Sequence, residues 1–148
     1  LCALNSSGGA HQGIRVVDSV DVTVAQDEAS HGFAGADTVL GEAAGRKWRS
    51  ATGWFSYSLR IYDDSPLTLV VLSPAGQGDR EWFDILVDGK TVATVDRQAG
   101  GQGAAAARFD VLFALTKGKT SVTVKLQARP GFRTARVFDI RSVQEHLE

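Results

Sequence analysis

With 148 residues, the chain supports one domain, because domains run to about 100 to 200 residues. Apolar residues make up 43% and charged residues 22%, the balance of a globular protein with a real core, which excludes wholesale disorder. Sixteen basic against seventeen acidic side chains leave a net charge of −1, so no global field draws in nucleic acid or an anionic membrane, and neither is expected as a partner.

Leu1 to Gly13 is small, polar and Gly/Ser-rich, with no periodicity to bury, and reads as a flexible linker ahead of a folded domain over residues 14 to 148. Methionine is absent even from position 1. The chain therefore reads as a piece of a longer polypeptide, closing on a vector-like Leu147-Glu148, with any targeting segment outside it and both the cytoplasm and the extracytoplasmic space left open. The single Cys2 supplies neither an internal disulfide nor a multi-cysteine zinc site.

From Ile14 onward, short β-type runs recur at Arg15 to Ala25, Lys47 to Ala51, Trp54 to Tyr62, Leu67 to Leu72, Trp82 to Val87, Thr91 to Asp96, Arg108 to Ala114, Ser121 to Ala128 and Arg136 to Val143. Gly, Pro, Asp and Ser punctuate them, as strands require. Alternation is clearest where Val122, Val124 and Leu126 interleave with Ser121, Thr123 and Lys125, and again at Phe55, Tyr57, Leu59 and Ile61. Asp88-Gly89 between two runs predicts a type I′ hairpin, in which both central residues need positive φ. No helical period exceeds two turns. Nine short strands with tight turns predict an all-β fold, an antiparallel two-sheet β-sandwich of jelly-roll or galactose-binding-like type.

Few motifs carry chemistry. Gly101-Gln102-Gly103-Ala104-Ala105-Ala106 fits the end of a dinucleotide fingerprint, but only a few alanines follow before Arg108 to Phe113 reads as strand, so no helix receives a pyrophosphate and a loop is expected. Asp63-Asp64 and Asp27-Glu28 are adjacent carboxylates of the kind that make turns. His31, the one histidine away from the chain ends, is expected in a structural hydrogen bond. No nucleophile motif or metal-ligand spacing occurs, so no catalytic residue and no cofactor are expected; a structural calcium is conceivable in such a sandwich, but no ligand spacing supports one. Residues 108 to 141 carry eight basic side chains (Arg108, Lys117, Lys119, Lys125, Arg129, Arg133, Arg136 and Arg141) against Asp110 and Asp139, which reads either as a solvated face or as a contact surface for an acidic partner.

The aromatic residues are the better lead, because sugar recognition stacks the apolar face of a pyranose on Trp or Tyr while polar groups hold its hydroxyls. Trp48 and Tyr57 read as packed core. Trp54 follows Thr52-Gly53, and Trp82 alternates away from Phe83, Ile85 and Val87; both are candidates for a ligand face, with Arg49, Arg80 and Asp84 as hydroxyl partners.

The order of four motifs adds a resemblance. Asp27-Glu28-Ala29-Ser30-His31-Gly32, Lys47-Trp48-Arg49-Ser50-Ala51, Gly53-Trp54-Phe55-Ser56-Tyr57 and Phe83-Asp84-Ile85-Leu86-Val87-Asp88-Gly89-Lys90 together resemble the C-terminal β-sandwich module of bacterial glycoside hydrolases of the β-L-arabinofuranosidase type, over about residues 18 to 143. In that family the catalytic site lies in a preceding (α/α)-barrel built on cysteines, a glutamate and zinc, none of which maps here. One departure is Leu72-Ser73-Pro74-Ala75-Gly76, where the family often carries an aromatic pair. The resemblance implies a non-catalytic accessory domain whose partners are a parent catalytic domain and a plant-type oligosaccharide. The alternative is a module that only docks on that parent, with no ligand of its own.

Overall fold

The computed structural model describes residues 12–74, 79–98 and 105–147. In chain order the elements are β1 (Gln12–Asp21), α1 (Ala25–Ser30), β2 (Ala34–Ala43), β3 (Arg46–Arg60), β4 (Leu67–Ser73), β5 (Arg80–Val87), β6 (Lys90–Gln98), β7 (Ala105–Val111), α2 (Phe113–Thr116), β8 (Ser121–Ala128) and β9 (Asp139–Leu147). The strands form two antiparallel sheets, one of four strands in the order β1-β9-β4-β7 and one of five in the order β2-β3-β8-β5-β6. The predicted two-sheet sandwich is the observed architecture.

Period-two alternation builds the core between the sheets. Leu67, Leu69 and Val71 of β4 and Ile140 of β9 point inward from the four-stranded sheet. Phe55, Tyr57, Leu59, Phe83, Ile85, Val87, Val122, Val124 and Leu126 meet them from the five-stranded one. The β5–β6 hairpin turns on Asp88 (φ 49°) and Gly89 (φ 83°), the positive pair that the Asp-Gly step predicts. Asp88 also accepts the Thr123 backbone N–H and pairs with Lys119 at 2.7 Å.

Two differences from the sequence reading have local causes. β2 was not expected, because Gly35, Asp37 and Gly41 dilute its strand propensity. It forms as an edge strand on β3, with a register shift at Asp37 in the left-handed region (φ 56°). The runs at Lys47 and Trp54 are one strand rather than two. Gly53 is not a turn residue there: a Cβ at this position would come within 2.4 Å of the Ala36 carbonyl oxygen, so glycine is what lets β2 and β3 stay paired.

The segment 133–138 lies between β3 and β5, where β8 has ended. It is tied by single bridges, Arg49 to Val137 and Glu81 to Arg133. Ala105 to Ala107 belong to β7 and pair with β4, so the apparent dinucleotide motif runs into a strand; residues 99–104 lie outside the described set. The basic stretch does not make one face. Arg108 and Arg141 stand on the four-stranded sheet, Arg129, Arg133 and Arg136 by β5, and five of the eight residues are ion-paired with Asp79, Asp84, Asp88 or Asp139 of this same domain.

Candidate functional site

The side of the five-stranded sheet away from the core carries the strongest concentration of aromatic and polar groups. The residues that alternate with the core positions all point there: Trp54 on β3, Lys125 and Gln127 on β8, Trp82, Asp84 and Leu86 on β5, and Thr94 and Asp96 on β6. The register sets Trp54, Gln127, Asp84 and Thr94 side by side across four strands, and puts Trp82 opposite Asp96. With β8 between their strands and a two-residue offset, the two tryptophans stand ~12 Å apart along the sheet.

Four of the five sequence candidates (Trp54, Trp82, Arg80 and Asp84) therefore share one face. Both tryptophans are half-buried, and each ring carries a cation: the Lys125 ammonium lies 4.5 Å from the Trp54 ring centre, and the Arg80 and Arg129 guanidinium groups 5.1 and 5.3 Å from that of Trp82. Asp84 accepts two hydrogen bonds from Arg129, at 3.0 Å each, and one from Thr94. Arg80 grips Asp96 with two bonds of 2.8 and 2.7 Å. Side-chain hydrogen bonds from Arg129, Arg80 and Arg136 hold the carboxyls of Asp84, Asp96 and Asp79 below the usual carboxylate range.

Sequence reasoning missed Phe132, Arg129 and Lys125. A signal for Phe132 was available, because Arg129-Pro130-Gly131-Phe132 is a type II turn sequence. The structure realises it, with Gly131 at φ 84° and the Phe132 N–H bonded to the Arg129 carbonyl at 2.9 Å. That turn leaves the sheet where β8 stops and sets Phe132 edge-on to Trp82, ring centres 5.1 Å apart. Beside it a cavity of about 350 Å³ is lined by Thr52, Asp79, Arg80, Gly131, Phe132 and Arg133. Thr52 is two residues from Trp54 and Arg80 two from Trp82, so the cavity lies between the two tryptophan strands.

Arg49, the fifth candidate, does not join this face. Its guanidinium donates to both oxygens of Glu28 at 2.8 and 3.1 Å and lies 4.5 Å from the Phe33 ring centre. Glu28, buried in α1, also accepts a short hydrogen bond from the Tyr57 hydroxyl. Burial, then the Glu28 hydrogen bond and charge, drive the Tyr57 pKa far upward. Tyr57 is 1% exposed and sits in the core, as expected; Trp48 is buried as well. Asp63-Asp64 is a turn, and the Asp63 carbonyl accepts the Gly118 N–H.

His31 ties α1 to β1. Its Nε2 lies 3.0 Å from Asp18 Oδ1, and its Nδ1 2.7 Å from the Asp27 carbonyl oxygen. Both partners are acceptors, so the site favours the protonated ring, which can donate from both nitrogens. Burial alone would lower its pKa. The Asp18 and Asp27 hydrogen bonds and charges outweigh that and raise it above 6.5, while Asp18 falls below 3.8 because the Arg60 N–H, His31 and the Ser19 N–H overcome its own desolvation. A raised histidine pKa stabilises the fold below 6.5 and loses that contribution as pH climbs through the folded value. A depressed Asp18 stabilises above 3.8 and loses its contribution as pH falls through its own. We expect the His31 ring proton to titrate above 6.5 in an NMR series, and the melting temperature to fall on the alkaline side of that pH. Asp18→Asn should bring the titration back toward the ordinary value; an unchanged midpoint would refute the tether.

Among the described residues, no group of three or more His, Cys, Asp or Glu could hold a metal ion. The acidic residues around α1 are already matched by His31, Arg46, Arg49 and Arg60. No helix among the described residues is long and apolar enough to cross a membrane.

Three of the solved structures that share this fold illustrate the likeness. A family 35 carbohydrate binding module from Clostridium thermocellum aligns at TM-score 0.59 and 12% identity, covering 88% of this chain and 97% of that one. The carbohydrate-binding module CBM36, solved in complex with calcium and xylotriose, aligns at TM-score 0.52 and 14% identity over 84% and 98%. The exo-beta-1,3-galactanase of Phanerochaete chrysosporium, solved with beta-1,3-galactotriose, aligns at TM-score 0.59 and 10% identity, over 84% of this chain but 28% of its own. The calcium of the second has no matching ligand set among the described residues here. By sequence, no curated protein matches, whereas the family described as "Family of unknown function (DUF6805)" matches over residues 14–143.

Proposed function

The chain belongs to the DUF6805 family, and for this member we propose a non-catalytic, carbohydrate-binding accessory domain whose ligand lies on the open face of the five-stranded sheet. The observation that carries the reading is that Trp54 and Trp82 stand on one open sheet face, beside a cavity lined by Arg80 and Phe132, with hydrogen-bonding side chains around them. Aromatic rings supply contact area at small entropic cost, and the flanking polar groups select hydroxyl orientation. The fold shared with carbohydrate-binding modules supports the same reading. The arginine hydrogen bonds that hold the Asp79, Asp84 and Asp96 carboxyls below the usual range make these three poor proton donors to a leaving group, which supports a non-catalytic role for this face. The parent is proposed to be a glycoside hydrolase, of the β-L-arabinofuranosidase type that the four motifs resemble.

Docking on that parent is the second reading. The observation favouring it is Ile14 and Val16, 72% and 54% exposed on the edge strand β1. The basic stretch no longer argues for it, since most of its charges are spent inside the domain.

Following tryptophan fluorescence while titrating xylotriose, β-1,3-galactotriose and arabino-oligosaccharides into the isolated chain tests the proposal. We expect saturable binding that changes little between low and high salt, because stacking is not screened as ion pairs are. Trp54→Ala should weaken it by about tenfold, which is about 1.4 kcal/mol. No response to any of these sugars at millimolar concentration would leave docking as the better account.

A further inference from the structure

Resting on the reading of this face as a carbohydrate platform, we propose that Arg80 is a displaceable cap on the Trp82–Phe132 wall and that Asp96 is its latch. The Arg80 guanidinium lies 5.1 Å from the Trp82 ring centre and 4.9 Å from that of Phe132. It covers the apolar surface that a sugar ring would need.

The geometry explains why it is held there. Arg80 stands two residues before Trp82 on β5, while Asp96 stands directly opposite Trp82 on β6. Reaching Asp96 draws the arginine forward over the ring. Asp84 and Asp79 play no such part: the first is taken by Arg129 and Thr94, the second by Arg133 and Arg136.

The same comparison identifies Arg80 as the member that moves. Its side chain is 48% exposed and that of Asp96 42%, against 39% and 21% for Arg129 and Asp84 and 8% and 37% for Arg136 and Asp79, so the Arg80 pair is the most open of the three. An exposed ion pair and an exposed cation–π contact are each weak. Arg80 also lines the cavity, so its departure widens the cavity, bares Phe132 and leaves Arg129 over Trp82. Arg80 thus sets affinity by competing with the ligand for Trp82. It is a positioning residue on the free protein and not a hydroxyl partner.

Two measurements on the full chain test this. In ¹⁵N spectra of the free protein, the Arg80 Nε–H should be displaced upfield by the ring currents beneath it. Asp96→Asn should return it toward the position of a free arginine and speed solvent exchange of the Trp82 indole N–H. A displaced resonance that persists without Asp96, or an indole unaffected by the change, would overturn the latch. In the second measurement, Arg80→Gln should bind xylotriose or β-1,3-galactotriose about threefold or more tightly than the unsubstituted chain, and Asp96→Asn should act in the same direction. Weaker binding by Arg80→Gln would make Arg80 a ligand contact and overturn the cap. If neither protein binds either sugar, the carbohydrate reading fails and the competitive role with it, while the spectra of the free protein still decide whether Arg80 is latched over the rings.

Discussion

Replacing Arg49 by leucine is expected to cost about 3 to 5 kcal/mol of folding stability, because it strands the buried Glu28 carboxylate without its cation. Both partners are well shielded, with side chains 14% and 9% exposed, so solvent does not screen the loss as it would at the surface. The Tyr57 hydroxyl alone then remains to satisfy Glu28, and Phe33 loses the guanidinium that covers it. Domains of this size have about 5 to 15 kcal/mol in hand, so urea midpoints should fall sharply. Adding Glu28→Gln to Arg49→Leu removes the orphaned charge and should recover part of the loss. A single variant as stable as the parent would show that the pair contributes nothing, and a double variant worse than the single would show that the buried charge is not the cause.

Trp48→Ala is the second large effect, also about 3 to 5 kcal/mol for a buried ring of this size. The ring is packed in a place the sequence did not indicate. Alternation from the core residue Ala51 puts Trp48 and Ser50 on the side of β3 away from the main core, where Arg136 lies 5.2 Å from the Trp48 ring centre and Ser50 bonds to the Thr134 carbonyl. Gly41, directly opposite on β2, provides the room: a Cβ there would fall 2.1 Å from Trp48 Cζ2. Gly41→Ala should therefore be destabilising in its own right. The Trp48 indole N–H is buried without a partner, which already costs stability, so Trp48→Phe should be far milder than Trp48→Ala in thermal melts. Equal losses for the two substitutions would contradict this packing.

The sandwich was legible because its core is written in simple alternation, at Phe55-Tyr57-Leu59 and Val122-Val124-Leu126, and because Asp88-Gly89 admits few other turns. β2 was not legible, since its glycines serve its neighbours: Gly35 and Gly41 make room for Thr38, Phe55 and Trp48 side chains, and no local propensity announces that. The candidate face was legible in part. Alternation sent Trp82 and Asp84 outward together, but Arg49 carries no local sign that Glu28, 21 residues earlier, will claim it. Phe132 reaches Trp82 only through the Pro-Gly turn that follows the end of β8. His31 was expected to hydrogen-bond, and its partner Asp18 is 13 residues away, on the strand that α1 follows.

The central claim is that one sheet face, carrying Trp54 and Trp82, binds carbohydrate. Titrating xylotriose and β-1,3-galactotriose to millimolar concentration into the ¹⁵N-labelled chain, and watching its three tryptophan indole signals, tests it most directly. The account predicts saturable shifts of the Trp54 and Trp82 indoles and of the β5 and β8 amides, with the buried Trp48 indole unmoved. Indoles that stay fixed with both sugars, or shifts confined to the four-stranded sheet, would contradict it.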